Sequence, residues 1–243
     1  MFTWISAALA ESDQQAAQPG WFATAFKKLM NAPGWALALL AALLVCGLVV
    51  FFLARGTKKT VWTTKMLSLG AISMALSSVL SMIRLMKMPQ GGSVTPASML
   101  PLMLFAYIYG AGPGITLGAI YGLLQYILDP FFVSLPQMML DYPIAFAMMG
   151  LAGLARNWQN TTIGLPLGIL LASCARFIAA LLSGVAFFAS YAEGTGLSPL
   201  MYSASYNGSY MLPETVICIV LSLLAGPVLV RELRKQSHTH GAI

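Results

Sequence analysis

The sequence predicts an all-α integral membrane protein, a six-helix bundle with one extra transmembrane helix at its N-terminal side. Three observations carry that prediction. Of 243 residues, 58% are hydrophobic and only 8% charged, against roughly 25% charged in a soluble domain, and the mean hydropathy is +0.80. Apolar stretches recur at close to the roughly 20 residues needed to span a bilayer. Basic residues crowd the loops between alternate stretches, as orientation in a membrane requires.

Taken in order, residues 1–33 read as an N-terminal extension. Its first fifteen residues carry no basic stretch, and Glu11 and Asp13 lie among them, which argues against a cleaved signal peptide. Trp21, Phe22, Phe26, Lys27 and Lys28 give it an interfacial character. Residues 34–64 hold the extra transmembrane helix, apolar from Gly34 to Ala54, and a basic loop. The main domain is expected at 65–233. Its spans run from Met66 to Ile83, Leu135 to Ala155, Gly164 to Ala189 and Ser203 to Val230. Between the first two, Ser98 to Gly110 and Ile115 to Leu128 are shorter and split by Gly110-Ala111-Gly112-Pro113-Gly114, which predicts two short or tilted helices. Residues 234–243, with His238 and His240, are expected to form a solvated, disordered cytoplasmic tail.

The net charge of +6 is explained by this layout better than by nucleic acid. Arg55, Lys58, Lys59 and Lys65 follow the first span, Arg156 sits in a later loop, and Arg231, Arg234 and Lys235 follow the last. With those loops cytoplasmic, the N-terminus is outside and the C-terminus inside the cell membrane, and Arg84 and Lys87 are minor exceptions. Cys46, Cys174 and Cys218 fall within spans at spacings that suggest neither a metal site nor a disulfide.

Two acids inside apolar segments, Asp141 and Glu214, point to function, because a carboxylate in hydrocarbon faces the bundle interior and finds a partner or a ligand. On the predicted topology Asp141 lies roughly 8 Å below the outer end of its helix. Near the same end lie Asn207, Tyr202, Tyr206, Phe187, Phe188, Tyr191, Phe131 and Phe132. The aromatic belt of any membrane protein accounts for single rings in that group but not for Asp141. Ser173, Arg176, Ala180, Ser183 and Phe187 share a helical face, as do Asn207, Tyr210 and Glu214. Arg176 and Glu214 come to similar depths on antiparallel helices and are expected to form a structural ion pair. Ala71 and Ala75 make a small-xxx-small pair suited either to packing within the bundle or to a partner subunit.

Nothing matches a P-loop, and both histidines lie in the tail, so no catalytic set, metal site or cofactor is expected. A pocket open to the outside without an energy source suggests a passive carrier or the capture subunit of a multi-subunit importer.

Met88-Pro-Gln-Gly-Gly-Ser-Val-Thr95, followed by Met99-Leu-Pro-Leu102, resembles the first external loop of the ThiT family, the thiamine-specific S components of energy-coupling factor (ECF) transporters. Leu140-Asp-Tyr-Pro-Ile-Ala-Phe146, Arg176-Phe177, Ser183-Gly-Val-Ala-Phe-Phe188 and Tyr202-Ser-Ala-Ser-Tyr-Asn-Gly208 repeat that family's order and spacing. The resemblance runs from about Lys65 to Leu233. It implies a site in the outer half of the bundle, lidded by the loop around Gln90 to Thr95. By matched position it implies that Asp141 pairs with an aminopyrimidine, that Tyr142 and Phe188 supply aromatic faces, and that Tyr202 and Asn207 contact the ligand. It further implies that Ala71 and Ala75 meet a transmembrane coupling subunit working with two ATPase subunits. Family members commonly carry a histidine where this chain has Ala180. That departure leaves open thiamine, a thiamine phosphate, hydroxymethylpyrimidine or another vitamin, with an intramembrane enzyme as a remoter alternative.

Overall fold

The structure is a computed structural model that describes residues 61–89, 91–158 and 160–238, with side chains described to residue 235. The 1–33 extension, the Gly34–Ala54 span with its basic residues Arg55, Lys58 and Lys59, Gln90 and the last five residues lie outside the described residues.

Thr63 opens α1 (Thr64–Met82) by accepting the Met66 N–H on its side chain, which satisfies a donor the first turn would leave unpaired. Two short antiparallel strands follow, β1 (Met86–Lys87) and β2 (Ser93–Val94), with Met86 opposite Val94. Helix α2 (Leu100–Tyr109) spans ten residues, about 15 Å, and buries seven of them, Met103 and Tyr107 fully. It is a short apolar helix at the centre of the core.

Gly110 ends α2 with a φ of 100°, and α3 (Ala111–Leu128) begins at once. The expected start at Ile115 is therefore corrected by one turn. Pro113 falls in the first turn of α3, where its missing N–H removes no helical bond, so the Gly-Pro-Gly stretch is helix and only Gly110 breaks the chain. Gly114, Gly118 and Gly122 recur every fourth residue along one face of α3. A Cβ on Gly118 would overlap the Phe146 carbonyl, one on Gly122 the Tyr142 carbonyl, and one on Gly114 would come within 2.9 Å of the Gly150 Cα. Those bare faces let α3 lie backbone to backbone on the next helix.

That helix, α4 (Leu135–Asn157), is composite: α-helical over Leu135–Met139, a wide π turn over Leu140–Ile144, one α turn over Ala145–Ala147, and 3₁₀ over Met148–Asn157. Helix α5 (Thr161–Phe187) starts on the Asn160 cap, and α6 (Pro199–His238) runs for 40 residues through Pro213 and Pro227. The tail expected to be disordered from residue 234 is helical to His238. No Gly or Pro follows Pro227 as far as His238, and Lys235 pairs with Glu232 at 2.9 Å.

Among the described residues six helices form the bundle, and five of them, α1, α3, α4, α5 and α6, are long and apolar enough to cross a membrane. The protein is a multi-pass membrane protein. One end of the bundle is basic: Arg156 donates to the Tyr109 carbonyl at 3.0 Å, and Arg234 donates to the Arg156 carbonyl at 2.9 Å. At the other end Arg84 pairs with Asp129 at 2.8 Å, which gives that cation a local counter-charge.

Candidate functional site

A cavity of about 150 Å³ lies between Ser81 near the end of α1, the β1–β2 segment with the residues leading into α2, and helices α3 to α6. Its walls are built by local exceptions to regular helix.

The first is the π turn in α4. Pro143 has no N–H to give Met139, and the Ala145 N–H bonds Leu140 O, five residues back. Asp141 therefore sits in a widened turn, and it lines the cavity. Gln137, four residues earlier and 1% exposed, donates Nε2 to Asp141 Oδ2 at 2.6 Å. The same amide donates to Phe131 O and accepts from Val133 N–H, so it fixes both the acid and the loop before α4. Tyr142 packs edge-on against Tyr126 with centroids 5.1 Å apart. Its hydroxyl donates to Asp129 O at 2.8 Å and accepts from Phe131 N–H at 2.9 Å. Phe131 is thereby held against Phe188, centroids 5.9 Å apart, at the C-terminal end of α5.

From α6, Tyr202, Tyr206, Asn207 and Tyr210 also line the cavity. Asn207 is 6% exposed, donates to Ser203 O at 2.9 Å, and accepts the Tyr210 hydroxyl at 2.8 Å. Its amide also donates to the Ala180 carbonyl on α5 at 3.4 Å, so it orients Tyr210 and bridges α6 to α5. All five residues singled out for substrate contact, Asp141, Tyr142, Phe188, Tyr202 and Asn207, thus surround one cavity.

Arg176 and Glu214 line it too, but no ion pair joins them, which corrects the expected pairing. Glu214 is 1% exposed and its Oε1 accepts from the hydroxyls of Thr95 and, at 2.9 Å, Ser98. Arg176 instead lies 4.5 Å from the Phe146 ring centroid and donates to Met99 Sδ. Two hydroxyls next to α2 reach the carboxylate, and an aromatic face takes the guanidinium. The shared face predicted on α5 holds for Arg176, Ala180 and Ser183; at its end Phe188 rather than Phe187 reaches the cavity.

The segment before α2 closes one side. Gly91, Gly92, Ser93 and Thr95 line the cavity, and Gly92 N–H donates to the Tyr206 hydroxyl at 3.1 Å. A Cβ on Gly92 would come within 2.7 Å of the Tyr210 ring, so only glycine permits this approach.

Sequence reasoning missed Gln137, the α3 glycine face, and the hydroxyls of Thr95 and Ser98 as partners of Glu214. The Gln137-to-Asp141 spacing of four on a helix was a usable signal, as was the repeat of glycine at every fourth position. The hydroxyls had none, because their partner is 116 or more residues away in sequence.

The sequence model described as "Thiamine transporter protein (Thia_YuaJ)" matches residues 67–232. The chain belongs to this thiamine transporter protein family. The family region starts in α1, ends in α6 and contains every cavity residue named above. Among relatives, the thiamine transporter ThiT of Bacillus subtilis (strain 168) is 33% identical over 168 residues, covering 63% of this chain and 86% of that protein. The thiamine transporter ThiT of Lacticaseibacillus paracasei is 29% identical over 137 residues, covering 51% of this chain and 68% of its own. A solved structure of ThiT from Listeria monocytogenes superposes with a TM-score of 0.58 at 22% identity, over 68% of this chain and 96% of that one, and so shares the family fold.

Proposed function

We propose that this chain is the substrate-capture (S) subunit of an ECF-type vitamin importer, binding thiamine from outside and delivering it inward with a separate ATPase module. The observation that carries the reading is Asp141, a carboxylate fixed in a π turn and facing a membrane-embedded cavity with aromatic walls. Thiamine joins an aminopyrimidine, which suits a carboxylate, to a cationic thiazolium, which suits ring faces such as Phe188 and Tyr202. In this reading Asp141 takes the aminopyrimidine and Tyr142 holds the loop that carries Phe131. Asn207 keeps Tyr210 and the α5–α6 contact in place. The segment Gly91–Thr95 covers the site.

Capture and translocation fall to different surfaces. Ala71 and Ala75 are exposed on α1 rather than spent on packing within the bundle, which supports their meeting a transmembrane coupling subunit, with two ATPase subunits beyond it. The basic end, with Arg156, Arg231 and Arg234, then faces the cytoplasm, and the N-terminus lies outside.

A second reading keeps the architecture and changes the cargo. Ala180 offers the cavity no polar atom beyond its backbone, which leaves room for a thiamine phosphate or hydroxymethylpyrimidine. Titration calorimetry of the detergent-purified chain separates the two. Tight one-to-one binding of thiamine, with the ligand recovered unchanged, is the expected result. Binding of a precursor or phosphate in preference to thiamine moves the specificity, and turnover of ligand by the isolated chain overturns the transport reading.

A further inference from the structure

Glu214 is a buried acid that the binding scheme leaves without a role. Its two hydrogen-bond donors belong to one short stretch. Thr95 Oγ1 donates to Glu214 Oε1 and accepts from the Ser98 N–H at 3.4 Å, while Ser98 Oγ donates to the same carboxylate oxygen at 2.9 Å. All three residues are buried. A carboxylate so placed holds both hydroxyls more firmly than a neutral acceptor would.

What it holds is the inner end of the covering segment. Thr95 directly follows β2, whose pairing with β1 carries Gly91 and Gly92 over the cavity. Between Thr95 and Ser98, Ala97 adopts a φ of 63°, a left-handed conformation that costs a residue with a Cβ and persists only where surroundings enforce it. Ala97 is 2% exposed, and its N–H bonds Thr95 O at 2.8 Å. On the other side of the contact, Glu214 follows Pro213, which has no N–H for the Ser209 carbonyl, so α6 lacks a helical bond just where the segment is tied to it.

We propose that Glu214 is a positioning residue that ties the strained Thr95–Ser98 turn, and through it the covering segment, to α6, so that it governs how fast ligand leaves rather than contacting the ligand. The proposal rests on the reading of Gly91–Thr95 as the cover of a thiamine site. It makes the Pro213–Glu214 step of α6 and the cover move as one unit.

The test compares Glu214→Ala, Glu214→Gln and the double variant Thr95→Val with Ser98→Ala, each in the full chain, and combines the double variant with Glu214→Ala to close a cycle. Glu214→Ala is expected to speed thiamine dissociation by about tenfold or more with association changed less than about threefold. Glu214→Gln, which keeps an oxygen acceptor for both hydroxyls, is expected to recover most of that loss. Thr95→Val with Ser98→Ala leaves the carboxylate in place and is expected to match Glu214→Ala, and adding Glu214→Ala to it is expected to do little more. In parallel, hydrogen exchange of residues 93–99 without ligand is expected to accelerate in Glu214→Ala and in the hydroxyl double variant. That readout needs no thiamine, so it decides the tie even if the cargo is a different molecule. Effects that multiply in the cycle, a Gln variant as damaging as Ala beside a silent hydroxyl variant, or unchanged exchange over 93–99 would each overturn the proposal.

Discussion

Asp141 shows what a single residue does in this protein and what it needs around it. A carboxylate inside the bundle costs several kcal/mol unless it is hydrogen-bonded or paired. Gln137 supplies one bond, and the acid lines the cavity. Asp141→Asn keeps the size and loses the charge, and it is expected to weaken thiamine binding by more than about tenfold, since hydrogen bonds to charged groups contribute roughly 1.5–3 kcal/mol. Calorimetry checks this, and an unchanged affinity removes Asp141 from the site. Asn207 teaches the opposite lesson. Its position beside the cavity was legible from helical phase, yet its amide is consumed by Ser203 and Tyr210. Proximity follows from periodicity, whereas a side chain's partners depend on which neighbours reach it first. The same holds for Arg176 and Glu214, whose similar depths were foreseen and whose preferred partners, Phe146 for one and Thr95 with Ser98 for the other, were not.

At the level of elements, hydropathy found all six helices of the described region, because each must present an apolar surface to lipid or to its neighbours. It misplaced the start of α3, since glycine and proline there signal a break in sequence but serve close packing and a first helical turn in space. It was silent on the π turn of α4, where Pro143 removes one bond and the Ala145 N–H reaches to Leu140. Pro143→Ala restores that donor and permits an ordinary α turn. The variant is expected to keep its helical content and melting temperature by circular dichroism while losing about tenfold in thiamine affinity, because Asp141 swings away from Gln137 and the cavity. Retained affinity in Pro143→Ala assigns the turn no part in placing the acid. Gly118 and Gly122 are the counterpart on α3: they bring its backbone against Tyr142 and Phe146 and so fix the height of the π turn.

Over the whole molecule, the exposed small-residue face at Ala71 and Ala75 takes no part in the cavity, which α1 lines only at Ser81, and the proposed division between capture and translocation depends on that separation. Ala71→Leu together with Ala75→Leu fills the exposed face of α1 without touching a cavity residue. Thiamine binding by the purified variant is expected to stay within about twofold of wild type, because the two positions contribute nothing to the pocket, while uptake by cells is lost. Normal transport, with the coupling subunit still co-purifying, overturns the interface assignment. The sequence by itself determined the membrane class, the helix count of the described region and the gathering of Asp141 and the rings near one end, because these follow from hydrophobic length, charge placement and helical period. Only the tertiary structure decided that Gly110 alone separates α2 from α3 and that Asp141 stands in a π turn. It likewise decided that Glu214 is held by hydroxyls more than a hundred residues distant. Those outcomes depend on backbone hydrogen bonds and long-range approach, and neither leaves a periodic trace along the chain.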